Sequence, residues 1–419
     1  MKNDFYIKKR QELVSSMKDN SLLILHSGVE YQKSADENYP FTVNRNFYYF
    51  TGIIQSNVTL AIVKSKEIKE FLFIEENDPI QVKWVGAKLY KEEASKISGI
   101  KDVIYSSQFK FYLFNFLNPS RSNYYEITNL YVDLERRDGF TYKTWPVNFA
   151  DEVRRGYPEI NVLNIYQKMI YIRTHKETVE VELIKESIKT TKGGLESIMK
   201  NLRPNIYEYQ LETYFDSYIK WDNHKTWSFD TICAQGKNAT TLHYRNNDDL
   251  LVDGNLVLLD LGCQTELYCS DITRTYPING KFSKRQREVY EVVLECNKKC
   301  FEFLKPGVTW KEYNDFANAI LCKGLKKLGL IKEDSELRKY YWHSIGHSLG
   351  LDTHDPNLSN LPIECGTVTS VEPGLYIAEE GIGIRIEDDA LITKDGCVCL
   401  SKDIIKEVDD IEAFMKKNK

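Results

Sequence analysis

Four carboxylates stand on short apolar segments in the C-terminal part of this 419-residue chain. Asp260 lies in LVLLDLG, and Asp271 follows eleven residues later in YCSDITRTYPI. Glu372 lies in SVEPGLYI and Glu387 in GIGIRIEDDALI. A carboxylate in an apolar strand is costly to bury unless it is paired or bound to a cation. Two divalent cations would offset four negative charges, so the pattern predicts a site for two such ions.

Each aspartate taken alone has a simpler interpretation, because either could pair with Arg274 or cap a turn. Asp271 can lie opposite Asp260 if the intervening segment reverses the chain. Asp388 and Asp389 follow Glu387 directly, and we expect them at a strand edge or in solvent. An extended strand would point Asp388 away from Glu387, so neither is counted as a metal ligand.

The segment HSIGHSLGLDTHD concentrates three of the chain's 7 histidines, namely His343, His347 and His354. It is not the HExxH zinc motif, because Ser344 replaces the glutamate and two glycines oppose a continuous helix. We interpret one neutral imidazole as a metal ligand and the others as neighbours of the reacting group. His243, in TLHYRNND, is a fourth candidate for which a purely structural role is equally reasonable.

The expected ligands are rich in oxygen, which suits Mn²⁺, Co²⁺, Fe²⁺ or Zn²⁺, with manganese as the first choice. Two such ions would lower the pKa of a bound water and polarise a carbonyl, which predicts peptide or amide hydrolysis. A thiolate site is the alternative, since four cysteines lie near these segments: Cys263, Cys269, Cys397 and Cys399. Their C-x5-C and C-x-C spacings differ from a zinc ribbon, and buried thiols are common core residues.

The charge and composition of the chain argue against nucleic acid and membranes as partners. A net charge of -5 offers no positive field for nucleic acid or an anionic membrane, and 42% hydrophobic with 28% charged residues is typical of a folded globular chain. The apolar run at 22–25 is too short for a signal-peptide core or a membrane span. Nine scattered cysteines suggest reduced thiols. We therefore expect a cytoplasmic protein.

The chain predicts two domains. Residues 1–168 alternate β-like runs with a helix and form an α/β domain, the runs lying at 22–25, 59–63, 71–74 and 129–133 and the helix at 80–95. Aromatic residues at 47–50 and 109–116 are interpreted as core and interface packing. Residues 169–419 contain a helical stretch from about 171 to 201, and then repeat helices followed by strands, with predicted helices at 206–221, 284–304 and 310–328 and strands at 229–234, 256–261, 272–276, 367–371, 374–377 and 382–386.

The motifs around the five candidate ligands resemble Xaa-Pro aminopeptidase (aminopeptidase P), over roughly residues 175 to 400. NRNFYYFTGI at 44–53 is similar to its N-terminal domain. The order D-x10-D, H, E, E also occurs in methionine aminopeptidase and prolidase, so it identifies the creatinase/prolidase-like superfamily. The resemblance implies an α+β protein with a C-terminal pita-bread fold of pseudo-twofold halves, preceded by a smaller α/β creatinase-like domain.

The resemblance also implies roles for the metal ligands. Asp260 and Asp271 would hold one metal, and the other would lie among Asp271, Glu387, His347 and Glu372, with Asp271 and Glu387 bridging. Glu372 would in addition be the general base for the bridging water.

The remaining roles concern the substrate. His354 resembles the histidine that hydrogen-bonds the scissile carbonyl or its tetrahedral intermediate, and His243 the one that positions the peptide and aids proton transfer. His343, Tyr376 and Arg385 match positions that shape a pocket for the proline ring.

The substrates implied are short peptides with proline in the second position, and relatives form homodimers or homotetramers. A shortened segment between VEPGLYI and GIGIRIED leaves the rim of the substrate cleft undefined. The nearest alternative is prolidase, which is restricted to dipeptides. A non-catalytic binding protein on the same fold is the alternative from another class, and the complete ligand set argues against it.

Overall fold

A computed structural model describes residues 1–120, 126–136, 144–222 and 225–418. The chain divides into two compact units, Met1–Arg173 and Thr174–Lys419, which are considered separately below. The boundary predicted after residue 168 falls within a helix, Tyr166–Thr174.

The first unit is built around a six-stranded mixed sheet, whose strands in spatial order are β6 (Asp102–Tyr105), β5 (Ile68–Ile74), β4 (Thr59–Lys64), β1 (Ser21–His26), β7 (Asn129–Val132) and β8 (Asn161–Asn164). β1 pairs antiparallel with β4 and parallel with β7, so both of its edges are hydrogen-bonded, and all of its residues are buried. The elements of this unit are α1 Asn3–Ser15, β1 Ser21–His26, β2 Gln32–Ser34, β3 Glu37–Asn38, α2 Arg45–Thr51, β4 Thr59–Lys64, β5 Ile68–Ile74, α3 Pro79–Val85, α4 Lys91–Ser98, β6 Asp102–Tyr105, α5 Phe109–Leu117, β7 Asn129–Val132, α6 Trp145–Gly156, β8 Asn161–Asn164 and α7 Tyr166–Thr174.

The predicted strands of this unit are confirmed, and its aromatic segments divide. Residues 47–50 are fully buried in α2. In α5, Phe116 is buried against the sheet, whereas Phe111 and Phe114 are exposed. Core packing therefore accounts for only part of the second segment.

The single helix predicted at 80–95 is wrong, because two helices occupy this region. α3 ends at Gly86, which has a φ of 85°. Few side chains tolerate this conformation, and the chain leaves the helix there. α4 begins afresh behind Tyr90, whose backbone N–H donates to the carboxylate of Glu93 at 2.8 Å.

The second unit repeats a helix pair followed by antiparallel strands, as predicted. α8 packs on α9, and α10 on α11. Its elements are α8 Thr178–Asn201, α9 Glu208–Trp221, β9 Thr226–Trp227, β10 Ile232–Gln235, β11 Leu256–Leu261, β12 Cys263–Thr265, β13 Tyr268–Cys269, β14 Ile272–Pro277, α10 Lys284–Phe303, α11 Trp310–Lys327, β15 Val368–Val371, β16 Gly374–Ile377, β17 Ile382–Arg385, β18 Asp388–Thr393, β19 Gly396–Cys399 and α12 Val408–Lys417.

The strands of the second unit form small sheets that carry the candidate site. The larger ones have the orders β10-β11-β14, β13-β12-β9 and β15-β18-β19, and β16 pairs with β17. Capping boxes fix the starts of the second helix pair, with Ser283 and Gln286 at α10 and Thr309 and Glu312 at α11. None of the helices among the described residues combines the length and apolar character needed to cross a membrane.

The helical stretch predicted from about 171 to 201 is interrupted between α7 and α8. Here the backbone N–H of Lys176 donates to the carbonyl of Gly366 at 2.9 Å, instead of to a helical partner. The Lys176 ammonium forms a buried ion pair with Asp355 at 3.1 Å. Tertiary contacts that the local sequence does not reveal therefore break the helix.

Candidate metal centre

Asp260 and Asp271 lie on the same face of an antiparallel strand pair. β11 pairs with β14 so that Asp260 is opposite Thr273. Asp271 precedes Thr273 by two residues and therefore points to the same face. The predicted chain reversal between the aspartates is confirmed, because β12 and β13 pair antiparallel within it. Gly262 permits this turn, since a Cβ there would lie 2.0 Å from the Ser270 carbonyl oxygen.

Glu372 and Glu387 face each other where two strand ladders meet. On one side of the glutamates, the β15–β18 ladder ends with Val371 opposite Asp388. On the other side, the β16–β17 ladder begins with Gly374 opposite Arg385, in the same register. The Glu387 N–H donates to the Thr273 carbonyl at 3.0 Å and joins this half to the first. Directly opposed like charges are destabilising unless something compensates them.

The loop that carries His347 runs beside β15. The Ser370 N–H donates to the His347 carbonyl, and the Glu372 N–H to the Ile345 carbonyl, each at 2.9 Å. Gly346 allows this approach, because a Cβ there would lie 2.2 Å from the Ser370 carbonyl oxygen. The backbone therefore holds His347 next to Glu372.

These elements bring an imidazole and three carboxylates together. Asp271, His347 and Glu387 each offer one ligand atom, and the three atoms lie within 4.8 Å of one another. His347 Nε2 lies 3.3 Å from Asp271 Oδ2 and 3.5 Å from Glu372 Oε1. Four of the five predicted ligands thus converge directly.

Asp260, the fifth predicted ligand, is joined to this group through an arginine. Its Oδ2 accepts a hydrogen bond from Arg385 Nη2 at 2.5 Å. Its Oδ1 is buried and has no hydrogen-bond partner among the described residues. A buried carboxylate oxygen without a partner is costly, and a cation is the partner that suits it.

The pKa values of three of these acids are raised, although His347 and Arg385 lie nearby and act in the opposite direction. Burial raises the pKa of Asp271 to about 7, and the charges of Asp260 and Glu372 add to this shift. Burial also raises the pKa of Glu372, and together with neighbouring carboxylates it raises that of Glu387 well above its ordinary value. A divalent ion would supply the missing charge, so the residues fit a metal.

His347 has the orientation of a ligand. Its Nδ1 lies 3.1 Å from the Ser348 carbonyl oxygen, which can only accept, so the proton is assigned to Nδ1. Nε2 points at Asp271 and Glu372, and a metal ion bound there would take the place of the Nε2 proton. Such a hydrogen bond behind the ring is the usual support of a metal-binding histidine. Burial alone would lower the pKa of this imidazole, but Asp271 and Glu372 have the larger combined effect and raise it to about 9.

His343, Tyr376 and Arg385 form a hydrogen-bonded chain beside this group. Arg385 Nη1 donates to Tyr376 Oη at 3.0 Å, and His343 Nε2 lies 2.8 Å from the same oxygen. His343 Nδ1 contacts the Ser344 carbonyl at 2.7 Å, so Nε2 accepts from the tyrosine. Burial, with a contribution from Arg385, lowers the pKa of His343 to about 3 and keeps the ring neutral.

His354 and His243 lie at the exposed side of the group. The His354 ring centroid is 4.1 Å from that of His347. Burial, assisted by the nearby His347 and His243, lowers the pKa of His354 to about 4. His243 is exposed on a loop whose next residue, Tyr244, donates to Glu208 at 2.9 Å. All ten residues predicted for the site thus lie in one region of the second unit.

The comparisons with known proteins agree with this geometry. Residues 182–394 match metallopeptidase family M24, and residues 6–125 match the aminopeptidase P N-terminal domain. The chain is 34% identical to the Xaa-Pro aminopeptidase of Haemophilus influenzae and 32% identical to that of Escherichia coli, over 97% of this chain and 96% of each relative. The chain belongs to metallopeptidase family M24, as an aminopeptidase P.

Solved structures confirm the fold of this aminopeptidase P. A Bacillus anthracis structure whose name assigns it to aminopeptidase P has a TM-score of 0.97 at 45% identity, and covers 100% of this chain and 99% of that one. Escherichia coli aminopeptidase P with the inhibitor Pro-Leu has a TM-score of 0.91 at 30% identity and the same coverage. The enzyme is therefore a metal-dependent aminopeptidase, and the non-catalytic alternative is not supported.

The interpretation of Asp388 and Asp389 as solvated is wrong, since both are fully buried. The carboxylate of Asp388 accepts from Arg274 Nη2 and from Lys406 Nζ, each at 2.6 Å. Asp389 Oδ2 accepts from the Asp271 N–H at 3.2 Å. Arg274 therefore pairs with Asp388, and not with either aspartate of the metal centre. The cations that compensate Asp388 come from distant parts of the chain, which sequence spacing does not disclose.

Two hydroxyl residues of the aminopeptidase P site were also missed. Thr273 Oγ1 donates to Glu387 Oε2 at 2.7 Å and accepts from Arg385 Nε at 3.0 Å. Ser370 Oγ donates to Glu372 Oε1 at 3.2 Å. Their positions two residues from Asp271 and Glu372 were the available signal, because side chains two apart share a face of a strand.

The thiolate alternative gains no support. All nine cysteines are free, and most are buried. Among the described residues, the one group of metal-ligating side chains that meets the distance condition contains no cysteine.

Proposed function

We propose that this aminopeptidase P holds two divalent cations, with Mn²⁺ as the first choice and Co²⁺, Fe²⁺ or Zn²⁺ as alternatives. The residues that would hold them are Asp260, Asp271, His347, Glu372 and Glu387, of which Asp271 and Glu387 would be shared by both ions. The observation that supports this most strongly is the convergence of ligand atoms from Asp271, His347 and Glu387 within 4.8 Å. The unpartnered Oδ1 of Asp260 supports a second ion nearby.

When bound, such ions lower the pKa of a water molecule and polarise a scissile carbonyl. Glu372 would take the proton of the attacking water, and Ser370 Oγ, which donates to its Oε1, would hold the carboxylate in place. Oε2 lies 3.7 Å from His343 Nδ1, whose proton is directed to the Ser344 carbonyl. The His343 proton is thus directed away from Glu372, so that Glu372 Oε2 can receive a proton.

His354 and His243 act on the peptide. Their rings are exposed beside the metal ligands, where a peptide can reach them. His354 donates to the scissile carbonyl oxygen as negative charge develops, and a donor so placed contributes about 2.7–4 kcal/mol to the transition state. His243 orients the peptide on the same side and aids proton transfer to the leaving amine.

His343, Tyr376 and Arg385 form the proline pocket. The Tyr376 and Arg385 side chains are buried and their polar atoms are engaged with each other and with Asp260. Only the His343 ring, which remains partly exposed, is available to the proline ring. Tyr376 and Arg385 therefore serve to orient His343.

The substrates we propose are short peptides with proline in the second position, from which the first residue is released. Prolidase activity, restricted to dipeptides, is the alternative. The names of the relatives support the first choice, since they are Xaa-Pro aminopeptidases.

Steady-state hydrolysis by metal-stripped enzyme tests this proposal. We expect Mn²⁺ to restore cleavage of Ala-Pro-Ala with release of alanine, and Ala-Ala-Ala to be cleaved far more slowly. Efficient cleavage of Gly-Pro alone would favour prolidase. Elemental analysis should give two metal ions per chain, and the metal-binding proposal fails if the wild-type protein binds none.

Three further features stay proposals. Nine free cysteines fit a reducing compartment and support a cytoplasmic location. The resemblance implies a homodimer or homotetramer, and α3 is consistent with a covered surface because it exposes Ile80, Trp84 and Val85. Light scattering of the purified enzyme measures this oligomeric state.

We also propose residues 1–168 and 169–419 as the N-terminal and catalytic domains.

A further inference from the structure

Asn297, on α10, contacts the backbone directly behind two proposed metal ligands. The side chain is fully buried. Its Nδ2 donates to the carbonyl oxygen of Val371 at 3.1 Å and to that of Ile386 at 3.2 Å. These residues immediately precede Glu372 and Glu387. One amide group therefore bridges the two chain segments that carry the opposed glutamates.

The bridge lies where the strand ladders are interrupted. β15 and β18 pair up to Val371 and Asp388, and the pairing resumes at β16 and β17. Between these ladders, the Ile386 N–H donates to the Pro373 carbonyl at 3.2 Å, but proline has no N–H with which to return the bond to Ile386. The two donors of the Asn297 amide replace part of the missing ladder.

The orientation of this amide is fixed by its other contact. Asn297 Oδ1 accepts from Lys406 Nζ at 2.8 Å. An ammonium group can only donate and a carbonyl can only accept, so the amide cannot be flipped. Lys406 in turn is paired with Asp388. The asparagine is thus held by a fully engaged buried network.

We propose that Asn297 is a positioning residue that sets the spacing of Glu372 and Glu387, and so determines the affinity for the catalytic metals. The proposal rests on the metal ligands proposed above. Groups behind the ligands of a metal site typically change metal affinity by about 10–100-fold when they are replaced. The same range is expected for Asn297.

The matched variants are Asn297→Asp, Asn297→Leu and Cys300→Ala. Asn297→Asp retains an acceptor for Lys406 but removes both donors to the carbonyls. Asn297→Leu has a similar size and removes all polar contacts. Cys300→Ala is the control, because Cys300 lies on the same helix and is equally buried, with its thiol beside that of Cys296.

Titration calorimetry of the metal-stripped full-length proteins with Mn²⁺ provides the readout, after circular dichroism has shown that they are folded. We expect both Asn297 variants to bind Mn²⁺ about 10–100-fold more weakly than the wild type, and Cys300→Ala to bind as the wild type does. Excess Mn²⁺ should recover most of kcat in the Asn297 variants. If Asn297→Asp fails to fold, the Mn²⁺ affinity of Asn297→Leu tests the inference.

Wild-type affinity in a folded Asn297 variant would overturn the inference, as would an equal loss in Cys300→Ala, which would indicate general weakening of the core. Absence of Mn²⁺ binding by the wild type would instead overturn the proposed metal ligands. The two failures are therefore distinguishable.

Discussion

Two buried charged clusters lie side by side in the second unit and differ in how their carboxylates are compensated. One is Asp388 with Arg274 and Lys406, and the other contains Asp271, Glu372 and Glu387. Asp388 accepts from Arg274 and Lys406. Burial alone would raise the pKa of Asp388, but these two cations lower it to about 2. In the neighbouring residue, Glu387, burial and the other carboxylates raise the pKa well above its usual range.

Burial is therefore not what distinguishes the two clusters. The cluster around Asp388 carries its own cations and is complete within the protein. The cluster around Glu387 has Arg385, which is directed to Asp260, and His347, whose raised pKa of about 9 compensates part of the negative charge. An acidic cluster that the protein itself compensates only in part is a better sign of a metal site than burial or acidity alone.

The largest expected effect comes from removing the cation of the complete cluster. Arg274→Met leaves Asp388 with Lys406 alone and also removes the hydrogen bond of Arg274 Nη1 to the Glu387 carbonyl. Breaking a buried ion pair in this way costs about 3–5 kcal/mol. We expect the free energy of unfolding, measured with urea, to fall by this amount.

The control for this variant is Arg287→Met, because Arg287 pairs with the exposed Asp409 on the surface at 2.7 Å. Surface ion pairs contribute little, so its unfolding curve should match that of the wild type. Equal losses in the two variants would contradict the assignment of Arg274 to the interior compensation of Asp388.

A substitution in the cluster around Glu387 should reduce activity strongly and leave the stability of the metal-free protein unchanged or higher. Asp271→Asn removes a proposed bridging ligand, and kcat/KM should fall by about a hundredfold or more, because metal stabilisation of the transition state is worth several kcal/mol. The metal-free variant should nevertheless be as stable as the metal-free wild type, or more stable, since a repelling charge is gone. Urea unfolding in chelator measures this, and a marked loss of stability would contradict the comparison.

Adding metal should compensate the charge of the cluster around Glu387 and so raise the free energy of unfolding. At a free Mn²⁺ concentration one hundred times the dissociation constant, binding stabilises the folded state by about 2.7 kcal/mol. Thermal unfolding of the wild type should therefore shift upward with Mn²⁺ and return with chelator. Asp271→Asn is the control and should show little shift. A similar shift in both proteins would place the stabilising ion elsewhere.

The sequence indicated which acidic residues lie together because apolar strands surround isolated acids there. Asp260 and Glu387 interrupt runs of hydrophobic residues, and this local contradiction was visible without a structure. The same reasoning misjudged Asp388, since its partners Arg274 and Lys406 lie more than a hundred residues before it and eighteen after it. Compensation by distant residues leaves no periodic pattern in the chain.

The fold shows a similar limit. Predicted strands were recovered where hydrophobic runs were bounded by turns, as in β11 and β16. The break between α7 and α8 could not be predicted, because Lys176 leaves the helix for Gly366 and Asp355, which are distant in sequence. Asn297 belongs to the same class, since only the assembled sheets bring the Val371 and Ile386 carbonyls to it.

The smallest expected effect concerns a single neutral hydroxyl in the metal centre. Ser370 Oγ donates to Glu372 Oε1 at 3.2 Å and accepts from the His347 N–H at 3.0 Å. A hydrogen bond to a carboxylate contributes about 1.5 kcal/mol at the lower end of its range, so kcat/KM of Ser370→Ala should fall by about tenfold. Ser187→Ala is the control: Ser187 is equally buried but donates to the Tyr268 carbonyl. It should lose stability without losing kcat/KM. Because Ser370 carries no charge, a loss as large as that of Asp271→Asn would show that orientation of Glu372, and not charge compensation, dominates the difference between the two clusters.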